Sequence, residues 1–312
     1  MKRLLSCNAS DFMKMTPPDL KQAIAASEGR TICSEMVTTH EPVIHDITNA
    51  EVARSIGADL ILLNVFDCLN PLLPGIDDVT ILNYQEKKNS GNTDPQVIKK
   101  LKNLVRRPIG VNLEPIDESA AMLEERTKIP AGRQCSKETL EAAERLGFDF
   151  ICITGNPGTG VSNQSIIKAI ATAKKYFNGL IIAGKMHGAG VNEPILDKEI
   201  MQAFVDNGVD ILLIPAIGTV PGVDESMLKE IVSFAKEKEV LTMSTIGTSQ
   251  ESSGVETIRE IALRNKILGV DIQHIGDSGY NGMANIENIY EMSLAIRGMR
   301  HTLSMMSRSI ER

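Results

Sequence analysis

Short apolar runs recur eight times along this chain of 312 residues, and each ends in a polar or glycine-rich turn. Most are followed by an amphipathic stretch of helical length. Their richness in Val, Ile and Leu is typical of strands that are covered on both faces. The eight predicted strands are 31–37, 59–64, 108–113, 148–154, 180–183, 210–215, 240–244 and 271–275.

Strands that alternate with helices imply right-handed βαβ units and a parallel sheet. Eight such units match an α/β fold, the closed (β/α)8 TIM barrel, which typically needs about 250 residues. An open, doubly wound sheet is the structural alternative. We expect one barrel domain over residues 1–312, with an N-terminal helical extension at 1–30, the barrel at 31–300 and a C-terminal tail at 301–312.

The segments outside the repeating units carry their own signals. Thr16 before two prolines is typical of a helix start, which predicts a helix over 17–27. The tail at 301–312 is expected to pack on the barrel, and a subunit contact that makes a homo-oligomer is the alternative. The long connections at 65–94 and 115–133 lie on one face of the predicted barrel, where 65–94 is either a lid or a decoration.

Composition narrows the class of protein. The net charge of −7 and the pI near 5.4 argue against a nucleic-acid partner, because phosphate backbones are bound by concentrated Lys and Arg. No apolar run reaches the roughly 18 residues of a membrane span, and the basic start has too short an apolar run for a signal peptide. The five cysteines form no CxxC pair, so reduced thiols are expected instead of a zinc site. We expect a cytoplasmic protein without a membrane or nucleic-acid partner.

Two glycine-rich loops follow the last two predicted strands. In many barrels these loops hold phosphate, because glycine lets backbone N–H groups converge on an anion. Ordinary tight turns are the alternative, and Asp277 would repel phosphate unless it points away or holds a metal. The predicted phosphate-binding residues are Gly247, Thr248, Ser249, Gly276, Ser278 and Gly279.

The turn at 155–162 also contains three glycines. It matches neither the Rossmann nor the Walker pattern, so it does not predict a nucleotide site. It either presents N–H groups to a small anion or is a tight turn that ends in Ser162 as a helix N-cap.

Charged residues at the predicted strand ends suggest a reacting layer. Side chains from alternate strands of a barrel share a layer, so Glu35, Glu114, Lys185 and Ser244 are expected around one axis. Lys185 would act either as a Schiff-base nucleophile or, held protonated by the carboxylates, as a charged electrostatic group. His187 or His274 would carry protons. Glu35 and Glu114, with Asp277, are also candidate ligands of Mg or Mn.

Two resemblances add expectations to this pattern. The strand organisation, with IGTSQ and IGDSGY after the last two strands, resembles the phosphate-binding superfamily of (β/α)8 barrels. That superfamily includes aldolases and epimerases. The segment 276–282 is similar to the Asp-Thr-Gly-Tyr-Gly segment of the phosphoenolpyruvate mutase and isocitrate lyase family, where the Asp helps to bind Mg; this role would fall on Asp277. In that family the segment follows an early strand, whereas here it follows the last one.

The sequence therefore favours an enzyme that acts on a small phosphorylated or carboxylated metabolite by acid/base chemistry next to a carbonyl. Carbon–carbon cleavage by a lyase or aldolase and isomerisation both fit this description. A Mg-dependent enzyme like phosphoenolpyruvate mutase is one alternative. A phosphosugar sensor that keeps the pocket without turnover is another.

Overall fold

Eight parallel strands close into a barrel in which each strand pairs with the next along the chain and β8 pairs with β1. This is seen in a computed structural model that describes residues 2–76, 79–80, 82–91 and 93–312. The closed barrel confirms the predicted fold and excludes the open sheet. The strands are β1 (Thr31–Val37), β2 (Leu60–Asn64), β3 (Ile109–Leu113), β4 (Phe150–Ile153), β5 (Leu180–Gly184), β6 (Ile211–Pro215), β7 (Leu241–Ile246) and β8 (Ile272–Ile275).

Helices surround the barrel and cover its N-terminal end. Within the described residues they are α1 (Ala9–Phe12), α2 (Pro17–Ala25), α3 (Asn49–Ser55), α4 (Tyr84–Ser90), α5 (Val97–Val105), α6 (Lys137–Leu146), α7 (Asn163–Tyr176), α8 (Lys198–Asp206), α9 (Glu225–Glu237), α10 (Val255–Leu268) and α11 (Ile286–Ser307). Short 3-10 turns lie at Leu4–Ser6, Ala131–Arg133, Gln250–Ser252 and Tyr280–Gly282. A membrane-spanning length of apolar helix does not occur in the described part of the chain.

The ends of two helices follow directly from their sequences. Helix α2 begins after Thr16, whose hydroxyl accepts the N–H of Asp19 while the Asp19 carboxylate accepts the N–H of Thr16 at 3.0 Å. Two prolines fit the first turn of this helix because its first N–H groups lack helical partners. Helix α11 continues to Ser307, past Gly298, which has a φ of 69° and interrupts the helical conformation. The sequence pattern predicts an end near residue 297, so this helix extends further than expected.

Inside the barrel, apolar side chains from the inward-facing strand positions pack against one another. The apolar interior includes Cys33, Leu62, Phe150, Ile182 and Met243. Gly110 lies next to Phe150, and a Cβ at that position would fall 2.1 Å from the Phe150 ring. Glycine on β3 therefore makes room for the aromatic ring on β4.

A repeated Gly-x-Asp precedes every even-numbered strand. The four aspartates accept the backbone N–H of the first or second residue of the neighbouring odd strands, with N–O distances from 2.8 to 3.0 Å. The glycines all have positive φ, which ends the preceding turn without the steric cost that a side chain would meet. This device fixes the strand register at the N-terminal face; its members are Gly57 and Asp59, Gly147 and Asp149, Gly208 and Asp210, and Gly269 and Asp271.

The long connection after β2 contains α4 and a small separate apolar cluster of Leu72, Val79 and Tyr84. Positions 77, 78, 81 and 92, within the segment 65–94 predicted to be either a lid or a decoration, lie outside the described residues.

Candidate active site at the carboxyl ends of the strands

A pocket of about 390 Å³ opens at the C-terminal face of the barrel, where the strand ends and the loops after β4, β5, β7 and β8 meet. This is where barrel enzymes carry out their chemistry. Within the described part of the chain, four of the side chains that line it are carboxylic acids and none is Lys or Arg. The polar side chains that line it are those of Glu35, Asn64, Asn112, Glu124, Thr154, Asn156, His187, Thr248, Ser249, Glu251, Asp277 and Ser278.

Glu35 lies at the floor of this pocket between two buried partners. One carboxylate oxygen accepts a hydrogen bond from Nδ2 of Asn112, on β3. The other lies 3.1 Å from Nε2 of His274, on β8. Only 2% of Glu35 and none of His274 is exposed, so the carboxylate is held in a fixed orientation away from bulk water. The inward-facing positions of three strands thus form one polar group.

Asp277 lies just beyond β8 and is joined to β2 and to the β4 loop. Asn64 donates from Nδ2 to Asp277 at 2.8 Å and to Oδ1 of Asn156 at 2.9 Å. Asn156 donates back to Oδ1 of Asn64 at 3.1 Å. Burial, and then the nearby Glu35 carboxylate, raise the pKa of Asp277 from 3.8 to about 8. Asp277 is therefore a protonated acid at neutral pH, in the same pocket as Glu35.

In the loops predicted to hold phosphate, the carboxylate of Glu251 occupies hydrogen-bond donors that were expected to face a bound anion. Glu251, which is 3% exposed, accepts both the backbone N–H of Ser278 at 3.0 Å and its hydroxyl at 2.6 Å. A Cβ on Gly276 would lie 2.8 Å from the same carboxylate oxygen, so glycine permits this close approach. Thr248 and Ser249 have positive φ and form a tight turn. The N–H and hydroxyl of Ser278, which were expected to face a bound anion, thus donate to the carboxylate of Glu251 instead.

The other residues of these loops are used in backbone contacts. The hydroxyl of Thr248 donates to the carbonyls of Thr219 and Gly247, both at 2.7 Å. A Cβ on Gly279 would lie 2.0 Å from the carbonyl oxygen of Met283, which explains glycine at this close crossing.

Glu114 faces the same end of the barrel, but both of its oxygens are engaged. Arg133 donates to one at 2.6 Å, and the backbone N–H of Asn156 donates to the other at 2.8 Å. Glu114 is 1% exposed, so this charge pair is buried and anchors the loop after β4. The contacts favour a role in positioning Asn156 over that of a metal ligand.

The predicted layer of Glu35, Glu114, Lys185 and Ser244 does not form. The prediction placed Lys185 and Ser244 on the side that faces the barrel axis, whereas both face away from it. On β5 the interior residues are Leu180 and Ile182, and Met186 continues this alternation, so Lys185 lies on the opposite side. Its ammonium group is buried and contacts Glu193 at 2.5 Å. Ser244 lies next to the interior residue Met243 and likewise faces away from the axis.

The charge state of Lys185 reflects two opposing effects. Burial lowers its pKa below the ordinary value, and the hydrogen bond from its ammonium group to Glu193 raises it. Glu193 also accepts the N–H of Asn163 at the start of α7 at 2.6 Å. Lys185 thus links the β5 loop to α7, and it is not among the residues that line the pocket.

His187 does line the pocket, and its tautomer is fixed by the backbone. Its Nδ1 accepts the N–H of Ala189 at 3.0 Å, so the proton of the neutral ring is on Nε2. Burial lowers the pKa of His187 below its ordinary value. The ring is therefore a neutral hydrogen-bond donor near pH 7.

The glycine-rich turn after β4 ends in a helix N-cap. Ser162 accepts the N–H of Ser165 at 3.1 Å and donates its hydroxyl to Asp117 at 2.6 Å. The insert at 115–133 packs across this turn and the β5 loop, since the N–H of Thr127 donates to the carbonyl of Gly158 and that of Leu123 to the carbonyl of Gly190, both at 2.8 Å. The insert thus brings Glu124 to the rim of the pocket.

Buried side-chain oxygens of three residues that line the pocket have no hydrogen-bond partner among the described residues. They are Oδ1 of Asn112, Oγ1 of Thr154 and Oε2 of Glu251. Hard cations such as Mg²⁺ take oxygen ligands of this kind, and Mg²⁺ is commonly held by only one or two carboxylates together with the substrate. A preformed group of three or more His, Cys, Asp or Glu arranged for a metal is not found in the described part of the chain.

Sequence reasoning missed Asn64, Asn156, Glu251 and Glu124 as pocket residues. Asn64 could have been found, because it is the last residue of a predicted strand and faces the same way as Leu62 in the interior. Glu251 and Glu124 reach the pocket through loop and insert conformations that no local sequence pattern encodes.

Comparison with solved structures gives matches to this chain at low sequence identity. One is 2,3-dimethylmalate lyase, a member of the PEP mutase/isocitrate lyase superfamily, with 11% identity, a TM-score of 0.49, and coverage of 84% of this chain and 81% of that one. Another is oxaloacetate acetylhydrolase, with 14% identity, a TM-score of 0.47, and coverage of 83% and 79%. A third is the endo-beta-1,4-mannanase from Thermotoga petrophila, with 13% identity, a TM-score of 0.50, and coverage of 88% and 78%.

These likenesses concern the fold alone. Comparison with curated protein sequences gives no match. A family model matches residues 5–312, nearly the whole chain. The chain therefore belongs to the family described as a domain of unknown function, DUF7916.

Proposed function

We propose that this protein is an enzyme that moves a proton at a carbon next to a carbonyl in a small carboxylated or phosphorylated metabolite, as a lyase or an isomerase does. The observation that carries the proposal is the pairing of two unlike carboxyl groups in one pocket. Glu35 is held between Asn112 and His274. Asp277 has a pKa of about 8 and keeps its proton at neutral pH. Two acids whose environments push their protonation states apart are the usual basis of an acid/base pair.

In this proposal Glu35 is the base. Its carboxylate points from the floor into the pocket, and Asn112 and His274 restrict its rotation. A base held in one orientation loses little entropy when it meets a C–H bond. His274 lies 3.1 Å from this carboxylate, and neither of its ring nitrogens forms a hydrogen bond within the described residues.

Asp277 is the acid and His187 the polarising donor. Asp277 can return a proton to the reacting group because it is protonated at neutral pH. His187 presents Nε2–H to the pocket, where it can donate to a carbonyl oxygen on which negative charge develops. Lys185, which faces away from the axis, supports the loop that carries His187.

The acidity of the pocket bears on how an anionic substrate is held. Among the described residues, four carboxyl groups and no Lys or Arg line it, so we expect a cation to lie between the pocket and a carboxylate or phosphate. Mg²⁺ or Mn²⁺ is the cofactor that fits, with Glu251 and the carbonyl oxygen of Asn112 as the acceptors left free for it. When bound, such an ion would polarise the substrate carbonyl.

Solvent exchange tests this proposal at the proton-abstraction step that lyases and isomerases of this kind share. The protein is incubated in D₂O with Mg²⁺ and pyruvate, 2-oxobutyrate, 2-oxoglutarate or dihydroxyacetone phosphate, and loss of the proton next to the carbonyl is followed by NMR. We expect exchange with a subset of these compounds, above the rate without protein. A compound that raises the melting temperature without exchanging its proton would instead favour the sensor alternative.

A further inference from the structure

We propose that the pocket at the carboxyl ends of the strands takes a substrate that carries a positively charged amino group, and that Glu124 of the insert at 115–133 selects it. The inference rests on the proposed function and deepens it, because it names the chemical class of the substrate that the same pocket would hold. It concerns the side of the pocket formed by the loops after β4 and β5, which lie opposite β8 and β1 in the closed barrel.

Glu124 is held at the rim of the pocket by the backbone of the insert. The N–H of Leu123 donates to the carbonyl of Gly190, and that of Thr127 to the carbonyl of Gly158, both at 2.8 Å. The Glu124 carboxylate lies against the same two loops, since its Oε1 would be 3.2 Å from a Cβ on Gly190 and 3.5 Å from one on Gly158. The side chain is exposed, but it lies across these loops and lines the pocket.

The Glu124 carboxylate has no partner of its own. It makes neither a hydrogen bond nor an ion pair with any residue in the described part of the chain. Arg126, two positions further along the insert, turns its guanidinium to the backbone carbonyls of Asp117 at 2.8 Å and Ala120 at 3.4 Å. The negative charge of Glu124 is therefore available to a group that enters the pocket.

A second unused group lies on the same side and is buried. Thr154 directly follows β4, lines the pocket and is 2% exposed, and its Oγ1 has no hydrogen-bond partner among the described residues. A buried hydroxyl without a partner is costly, which indicates that a ligand group belongs next to it. Thr154 and Gly158 belong to the same loop, so the hydroxyl and the Glu124 carboxylate border one part of the pocket.

The charge of the pocket favours a cation on this side. Within the described part of the chain its lining has no Lys or Arg, and of its four carboxyl groups Asp277 is protonated at neutral pH. Burial is the main cause of the lowered pKa of His187, and Glu124 is among the negative charges that oppose it, so the field of Glu124 reaches that ring. A divalent cation at Glu251 would be offset by the carboxylate or phosphate that it holds. It would leave the charge of Glu124 uncompensated.

An ammonium group fits these contacts better than a hydroxyl or a second carboxylate. It has three donors and no acceptor, so it can donate to Glu124 and to Oγ1 of Thr154 together. Hydrogen bonds between charged groups are about twice as strong as those between neutral ones. A second carboxylate would instead meet Glu124 as a like charge. The pocket of about 390 Å³ has room for this further group beside the carbonyl and the anionic end.

The test uses three carboxylated ketones that differ only in the group at one end. 4-Oxopentanoate ends in a methyl group, 5-hydroxy-4-oxopentanoate in a hydroxyl and 5-amino-4-oxopentanoate in an ammonium group. Calorimetry with the full chain and Mg²⁺ at neutral pH gives the Kd of each. We expect the amino compound to bind at least about tenfold more tightly than the other two, as one hydrogen bond to a charged group provides.

Glu124→Gln removes the charge and keeps the size of the side chain. This variant should lose most of the preference for the amino compound, while its Kd for 4-oxopentanoate stays at the wild-type value. Glu125→Gln is the matched control, because Glu125 is the exposed neighbouring carboxylate of the insert and is not among the residues that line the pocket. It should keep the full preference.

Three results would overturn the inference: no detectable binding of the amino compound, equal Kd values for the three compounds, or an undiminished preference in Glu124→Gln. Proton exchange into D₂O, followed by NMR with the same compounds, is a separate readout. A preference for the amine that depends on Glu124, without any exchange, would support this inference and count against the proposed function. Exchange without such a preference would do the opposite.

Discussion

Glu35 on β1 and His274 on β8 meet at the floor of the pocket, with 3.1 Å between Oε2 and Nε2 and almost no exposure of either side chain. The register places Cys33 opposite His274, so Glu35 lies one inward position further along its strand and can reach the ring. A buried carboxylate beside an imidazole is expensive to maintain. Its place at the reactive end of a barrel favours a role in proton transfer over one in stability.

Asp277→Asn is expected to change how stability depends on pH. The folded-state pKa of about 8 lies above the ordinary 3.8, so both states are protonated below about pH 4. Between pH 4 and 8 the unfolded chain loses this proton while the folded chain keeps it, and the stability of the wild type falls, by at most about 1.4 kcal/mol per pH unit. The advantage of Asp277→Asn over the wild type should therefore grow from pH 5 to pH 8 in urea unfolding. The exposed control Asp46→Asn should show no such trend, and parallel curves for Asp277→Asn and wild type would contradict the raised pKa.

Lys185→Met is expected to destabilise the protein by about 3 kcal/mol, because it leaves the Glu193 carboxylate without its buried partner. Lys198→Met is the matched comparison. It removes an exposed ion pair with Glu230 at 2.9 Å and should cost less than about 1 kcal/mol. Urea unfolding measures both, and equal costs would mean that the Lys185 pair contributes no more than a surface pair.

The same lysine is expected to give no borohydride-trapped adduct with 2-oxo acids. Its side chain is 1% exposed, contacts Glu193 through the ammonium group and faces away from the pocket. Mass spectrometry of the reduced protein checks this, with an unmodified peptide containing Lys185 as the expected result. An adduct on that peptide would restore the Schiff-base hypothesis.

At ten times its Kd, Mg²⁺ is expected to raise the free energy of unfolding by about 1.4 kcal/mol, and the melting temperature rises with it. Glu251→Gln should weaken this effect, because the substitution removes the charge of an oxygen that has no partner among the described residues while its other oxygen can still accept Ser278. Glu256→Gln, exposed on α10, is the control. An equal response of both variants would place the ion away from Glu251.

The fold followed from periodicity alone, whereas the site required geometry. Eight apolar runs gave the strands to within a few residues, because burial on both faces imposes a composition that is visible in the sequence. The side to which each residue points was harder to predict. Lys185 and Met186 are adjacent in sequence, and the backbone direction at the end of β5 decides which of them faces the axis.

The loop chemistry shows the same limit. The sequence predicts that the turn at Gly276 and Ser278 offers donors to a ligand, but Glu251 from the preceding loop accepts the N–H and the hydroxyl of Ser278, and the carbonyl of Ile246 accepts the N–H of Gly276. A contact between residues 27 positions apart has no local signature. The Gly-x-Asp repeat before the even strands is, by contrast, fully present in the sequence. It becomes visible when the four segments that precede these strands are aligned with one another.

The most direct measurement of the central claim is the rate of proton exchange into D₂O by Glu35→Gln, with any compound that the wild type exchanges. Removal of a general base typically costs a factor of about 10² to 10⁴. We predict a fall of at least about 100-fold, with binding of the compound retained and an unfolding midpoint close to that of the wild type. Exchange by Glu35→Gln at the wild-type rate would contradict the assignment of Glu35 as the base.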